Sequence, residues 1–322
     1  MSITMHSVRE AAARIRGIAL TTPLIESAEL DRIAGTKVFL KAENLQKAGA
    51  FKFRGAANKI LKLGAEQRNA GVIAYSSGNH ALAVAVAARQ FSVSAVVLMP
   101  QDAPAIKIQG AKANGAEVVL YDREKDDREQ ICTALIKERD LTLVPPYDDY
   151  DIMAGAGTGA LEALEQIGDY DWIDTAMVCC SGGGLTSGWA TTVRSLIPES
   201  RIYAVEPEGF DDTARSLEQG VRVSNAKKSG TICDALVVQT PGVMTFDIMR
   251  RCGVEGVRVS DDEIRAAMRF AFEHLKLVLE PGGAAALAAL LTRKFKHQPS
   301  GVLAILSGGN VDRNTFMECI GQ

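Results

Sequence analysis

Four short segments carry side chains and glycines of a kind that can do chemistry. The first is Ala48-Gly49-Ala50-Phe51-Lys52-Phe53-Arg54-Gly55-Ala56, where a lysine sits between two phenylalanines, just after a glycine and at the expected start of a helix. Apolar neighbours and a helix N-terminus both disfavour the ammonium form, which prepares a lysine to attack an aldehyde and hold it as a Schiff base. For an isolated Phe-Lys-Phe, a lysine lying along apolar surface with its charge in water is the competing reading. The second, Ser181-Gly182-Gly183-Gly184-Leu185, follows the apolar run Thr175 to Cys180 and enters a helix. Successive glycines let N–H groups converge on an anion at the positive end of the helix dipole, so the run suits a phosphate. It lacks the G-K-[ST] ending of a nucleotide loop and the G-x-G-x-x-G spacing of a dinucleotide fingerprint. In the third, Ser76-Ser77-Gly78-Asn79-His80-Ala81, hydroxyls and backbone N–H groups suit a substrate carboxylate and Asn79 can donate to a cofactor oxygen. An ordinary serine and asparagine N-cap is the plain alternative. The fourth is Leu306-Ser307-Gly308-Gly309-Asn310, after the apolar run Val302 to Leu306.

The elements around these segments must bring them together. From residue 70 onward, short β-branched runs alternate with helical stretches, the pattern of βαβ units and parallel sheets. Strands are expected at Val72 to Tyr75, Ala95 to Met99, Glu117 to Tyr121 and Leu141 to Val144, with helices near 79–90, 104–113 and 125–138, giving one small sheet. A second series, with strands near 175–180, 201–205 and 301–306 and helices near 153–166, 184–196, 260–276 and 282–293, gives a larger one. Ser260 with Glu263 reads as a capping box, and Asp261 and Asp262 add acidic charge to that first turn. A helix near 6–16 and an alternating strand from Lys37 to Lys41 precede the small series, so the small domain (48–148) is expected to be inserted in the large one (1–47 and 149–322). Ligands in open α/β sheets bind outside the carboxyl ends of strands, so four polar or glycine-rich strand-end turns imply one crevice.

The chain has 322 residues, 47% of them hydrophobic, enough for two domains with a sizeable core. A net charge of −3 gives no general grip on a nucleic-acid backbone. The longest apolar runs, Ala81 to Ala88 and Ala284 to Leu291, have eight residues against the ~20 a bilayer requires. The first ten residues hold no apolar signal core, and a cytoplasmic location is expected. Six cysteines without C-x-x-C spacing and four histidines without an H-x-x-x-H pair suggest reduced, mostly buried thiols and no zinc.

In their order along nearly the whole chain, the four segments resemble those of the fold-type II (tryptophan synthase β-like) pyridoxal-phosphate enzymes. Glu43-Asn44, Thr231-Ile232-Cys233-Asp234 and Glu280-Pro281-Gly282-Gly283-Ala284 are similar to the serine/threonine dehydratase and serine racemase branch. The resemblance implies pyridoxal 5'-phosphate held covalently by Lys52, with Phe51 against its ring, Gly182, Gly183, Gly184 and Leu185 on its phosphate, Asn79 at its hydroxyl and Ser307 at its pyridine nitrogen. Ser76, Ser77, Gly78, Asn79 and His80 would bind the substrate. Ser77 would serve as the acid-base group on the face opposite Lys52. A serine rather than a carboxylate at the pyridine nitrogen suits β-elimination. The resemblance therefore implies dehydration of L-serine or L-threonine to the 2-oxo acid and ammonia, with 3-hydroxyaspartate dehydration and serine racemisation as same-class alternatives. It also implies a homodimer. Because the sequence reaches Gln322 soon after Ser307, the regulatory domain of the isoleucine-controlled dehydratases is not expected. Glu206, Phe210 and Asp212 resemble the divalent-cation site of the racemase-like members, for Mg²⁺ or alternatively Ca²⁺ or Mn²⁺; an acidic solvated turn is the other reading. Two positions depart from the pattern, bearing on substrate detail: Ala156 stands where glutamine is usual, and Cys233 with Ala235 stand in a segment that more often reads T-I-A-D-G. From the residues alone, a non-catalytic metabolite-binding α/β protein remains open.

Overall fold

The computed structural model describes residues 2–76, 78–122 and 125–321. The β-branched runs at the centres of the sheets, such as 95–100, 175–179 and 301–306, form strands buried on both faces, as parallel strands covered by helices must be, while the edge run 117–121 stays partly exposed. We number the strands β1 (Leu24–Ile25), β2 (Lys37–Ala42), β3 (Val72–Tyr75), β4 (Ala95–Pro100), β5 (Glu117–Tyr121), β6 (Thr142–Leu143), β7 (Thr175–Cys179), β8 (Arg201–Pro207), β9 (Glu255–Val259) and β10 (Gly301–Leu306). They make a six-stranded sheet of order β1-β2-β10-β7-β8-β9 and a four-stranded sheet of order β5-β4-β3-β6. All pairings are parallel except β1 with β2. The expected strands all appear, while β1 and β9 are additions. Ser260 caps its helix as expected, accepting from Glu263 N while Glu263 Oε2 accepts from Ser260 N. That helix differs from expectation in its second half: α-geometry ends at Phe270, and a wider turn follows over Ala271–Leu275 before Lys276 takes a left-handed φ of 60°. Among the described residues no helix is long and apolar enough to cross a membrane.

Order in the large sheet places β10 between β2 and β7, so the last strand lies at the centre. Beside it, helix Lys52–Lys62 is fixed to helix Tyr150–Ile167 backbone against backbone. A side chain at Gly155 would place Cβ 2.6 Å from the Arg54 carbonyl oxygen, so only glycine permits this approach. Arg54, fully buried, donates through Nε and Nη2 to the two carboxylate oxygens of Glu43, both at 2.8 Å, and through Nη1 and Nη2 to Glu162 at 3.2 and 2.8 Å. Lys41 completes the cluster with 2.6 Å bonds to Glu162 and Gln166. Burial opposes the charge on Arg54, but Glu43 and Glu162 outweigh it and hold the guanidinium protonated more firmly than usual.

Breaking such a cluster leaves a buried charge uncompensated. Arg54→Met is expected to lower the unfolding free energy by about 3–5 kcal/mol, read as an earlier midpoint in urea. A midpoint within error of the wild type would show that the cluster is not structural.

Candidate active site

Lys52 is the first residue of helix Lys52–Lys62, as its glycine and aromatic surroundings suggested. Its Nζ lies 5.2 Å from the Phe51 ring centroid and donates to the Pro146 carbonyl at 2.6 Å. The side chain keeps some exposure to the cleft, yet the amine is enclosed, and burial pulls its pKa down to about 8. A lysine so placed is partly neutral near physiological pH.

Three of the four segments are stitched together by backbone and amide bonds. Phe51 N donates to Ser307 O at 3.0 Å, Gly309 N to Gly49 O at 2.9 Å, and Asn310 Nδ2 to Ala48 O at 2.7 Å. Asn310 Nδ2 also donates to Asn79 Oδ1 at 3.0 Å, while Asn79 Nδ2 donates to Glu280 Oε1. The two partners fix which end of the Asn79 amide points where, and leave it a second N–H to offer. Gly182, Gly183, Gly184 and Leu185 form the turn from β7 into helix Gly184–Leu196. Gly183 has φ +90°, a conformation that strains any L side chain, and the first N–H groups of the helix have no acceptor within it. The Gly182 carbonyl is turned away, accepting from Thr245 Oγ1 at 2.7 Å. Tyr147 covers the turn, its ring against Gly182. Ser181 Oγ is buried and has no partner, a bare hydroxyl at the edge of the same cup.

Ser76 and Gly78 lead from β3 into helix Asn79–Gln90, with Gly78 N donating to Ser76 Oγ at 3.1 Å. Ser77 lies outside the described residues. His80 is buried, and burial followed by the Lys52 charge pulls its pKa down to about 3. Its Nε2 lies 2.8 Å from the Val144 carbonyl, which can only accept, so the proton sits there and Nδ1 is a bare acceptor without a partner.

Glu206, Phe210 and Asp212 stand apart from this group, behind the glycine turn, to which Thr213 Oγ1 links them through Ser181 O at 3.4 Å. Glu206 is fully buried, its oxygens accepting from Thr213 N at 3.1 Å and Ala214 N at 2.7 Å. Burial, then the charge of Asp212, pushes Glu206 well above the usual carboxylate range. Burial likewise pushes Asp212 to about 7; its Oδ1 accepts from Asn225 at 2.7 Å, and its Oδ2 is buried without a partner. These two carboxylates are thus not solvated, although Glu208 and Gly209 at the tip of the turn are exposed. Among the described residues no group of three or more His, Cys, Asp or Glu side chains is arranged to hold a metal.

Several residues at the site were not assigned from the sequence. Glu280 stood in a noted motif without a role; here it is fully buried between Asn79 and Lys107, whose Nζ lies 3.4 Å from Glu280 Oε2 and 2.9 Å from Asp234 Oδ2. Pro146, Tyr147 and Lys107 carry no signal in the sequence that would place them here. The departing residues Ala156 and Cys233 are buried in the main core.

Residues 15–308 match the model of the pyridoxal-phosphate dependent enzymes. The chain is 44% identical over 309 residues to an L-threo-3-hydroxyaspartate ammonia-lyase of a Pseudomonas species, covering 95% of each chain. It is 39% identical to a serine racemase of Schizosaccharomyces pombe, covering 99% of this chain and 98% of the relative. The structure of maize serine racemase superposes with a TM-score of 0.93 at 37% identity, covering 100% of this chain and 98% of the other. Fold and relatives agree, and the chain belongs to the pyridoxal-phosphate dependent enzymes of fold-type II.

Proposed function

We propose that the chain is an ammonia-lyase that takes water, then ammonia, from a small L-3-hydroxyamino acid, giving a 2-oxo acid. The observation that carries this reading is the partly neutral amine of Lys52, enclosed beside the segments that the bonds of Phe51, Gly309, Asn310 and Asn79 hold together. Pyridoxal phosphate, when bound, supplies an electrophilic carbonyl and an electron sink beside Cα. The residues present fit it: a glycine cup, a bare buried hydroxyl and an enclosed amine. Gly182, Gly183, Gly184 and Leu185 would hold the phosphate, Phe51 the ring face, Asn79 Nδ2 the ring oxygen and Ser307 the ring nitrogen. Lys52 Nζ would be the base that takes the Cα proton of the bound substrate. Ser76, Gly78, Asn79 and His80 flank the place for the substrate carboxylate. The β-hydroxyl would leave as water, taking up a proton equivalent to the one removed from Cα, and the enamine product would tautomerise to the imine, which one water hydrolyses to oxo acid and ammonia. That hydrolysis is irreversible, so elimination outruns any racemisation in which Ser77 would act on the opposite face.

L-Serine and L-threonine are the substrates first implied by the motifs, but one observation favours an acidic member, L-threo-3-hydroxyaspartate. The Arg128 guanidinium lies over the Tyr75 ring, 5.1 Å from its centroid, and Tyr75 ends the strand that delivers Ser76 to His80. Its charge also reaches Tyr147, which covers the glycine turn. A guanidinium at the rim of the cleft suits a second carboxylate. The name of the Pseudomonas relative supports the same substrate.

The buried, mutually repelling carboxylates Glu206 and Asp212, one oxygen of Asp212 without a partner, suit a hard divalent cation, with the Phe210 carbonyl as a further oxygen. We read this site as structural, bracing the glycine turn through Thr213.

Three outcomes test these readings. Cofactor uptake by the apoprotein should quicken as pH rises toward 8 and then level off, because about a tenth of Lys52 is neutral at pH 7 against on the order of 10⁻³ or less for an ordinary lysine. Lys52→Ala should bind no cofactor covalently and lose turnover. An uptake rate still climbing steeply above pH 9 would contradict the enclosed amine. In product assays across L-serine, L-threonine and L-threo-3-hydroxyaspartate, oxo acid should outrun D-amino acid, and Arg128→Leu should lower kcat/KM for hydroxyaspartate about 10–100-fold more than for L-serine. Equal losses would remove Arg128 from substrate selection. Chelator should lower Tm by a few degrees and Mg²⁺ restore it, an effect absent in Glu206→Gln; a wild type indifferent to chelator would leave the two carboxylates as a buried structural pair.

A further inference from the structure

Cys179 is the last residue of β7 and Ser307 the first after β10, and these strands are neighbours in the large sheet. Both side chains are buried at the carboxyl ends of the strands, and the Cys179 thiol donates to Ser307 Oγ at 3.0 Å. Lys52 lies close enough for its charge to act on the thiol. A serine hydroxyl has one hydrogen and a free rotor, so which way it donates depends on what occupies its lone pairs. A thiol bonded to the oxygen takes one acceptor position and leaves the hydroxyl hydrogen to point elsewhere.

We infer that Cys179 positions the Ser307 hydroxyl, turning its hydrogen toward the pyridine nitrogen of the cofactor so that this nitrogen accepts and stays unprotonated. The inference rests on the proposed use of pyridoxal phosphate and adds a residue to it. Chained donors strengthen one another, so the thiol also makes Ser307 a better donor. The pocket keeps the thiol in the form this requires: burial pushes its pKa up to about 11, so it carries its proton throughout the working range. No exposed, electropositive surface surrounds it, and it is not a nucleophile. The electronic state of the ring is thereby set by a pair of neutral groups from adjacent strands rather than by a carboxylate or a cation.

The test compares holoenzymes of the wild type, Cys179→Ala and Cys179→Ser by the visible absorption of the bound cofactor, its pH dependence, and cofactor affinity from a fluorescence titration. The alanine variant should shift the band and weaken affinity about five-fold, the worth of one buried hydrogen bond, while the serine variant, which keeps a donor, should stay within about two-fold of the wild type. If the alanine variant is insoluble, Cys179→Val removes the donor while filling the space. Donor-less variants with wild-type band and affinity would overturn the inference, as would a serine variant as impaired as the alanine one. A wild-type protein that stays colourless with pyridoxal phosphate would instead overturn the proposed function itself.

Discussion

The buried ion cluster of Arg54, Glu43, Glu162 and Lys41 is the constraint on which the site depends. Two cations and two carboxylates balance, and each bond within the cluster joins a different element: the end of β2, helix Lys52–Lys62 and helix Tyr150–Ile167. Buried charges gain only when geometry is good and every lone pair and proton is used, which is the case for the fork of Arg54 on both Glu43 oxygens. Because Arg54 stands one helical half-turn from Lys52, the cluster sets the height and rotation of the lysine above the sheet. An apolar core could pack these elements, but it would allow them to slide; paired charges specify one register.

Around that anchor the site is built from groups that burial pushes toward their uncharged forms. Burial lowers Lys52 and His80 and raises Cys179, each toward its uncharged form. With little charge of its own nearby, the crevice leaves an anionic phosphate to the N–H groups of the glycine turn and the helix dipole, which act more strongly where water is excluded. A further set of charges is paired off: Lys107 reaches from the small-sheet helix Ala105–Ala113 to Asp234 and Glu280 of the large-sheet region, and Glu280 in turn holds Asn79. Contact between the two sheet regions and orientation of the Asn79 amide are therefore one network.

Much of this was legible in the sequence because the signals are local. β-branched runs of period-appropriate length, a capping box at Ser260 and glycine-rich turns after apolar runs each declare themselves within ten residues, so the two parallel sheets, the four strand-end segments and the fold-type could be read without coordinates. β9 escaped because Gly256 and Arg258 interrupt its apolar pattern, and β1 because two residues carry no period. Glu206 and Asp212 could be taken for a solvated turn because acidic spacing says nothing of burial.

What only the tertiary structure decided is which distant residues share a contact. Cys179 and Ser307 are 128 positions apart, and they meet because the last strand inserts between β2 and β7. Lys52 finds the Pro146 carbonyl 94 positions away, and Arg54 finds Glu162 at 108. Sequence spacing carries no information about such pairs, since strand order in a sheet is set by how all the helices and strands bury their faces together. The sequence by itself determined the chemistry available and the ends of the strands where it would lie; the packing determined which carbonyl, thiol and carboxylate would face it.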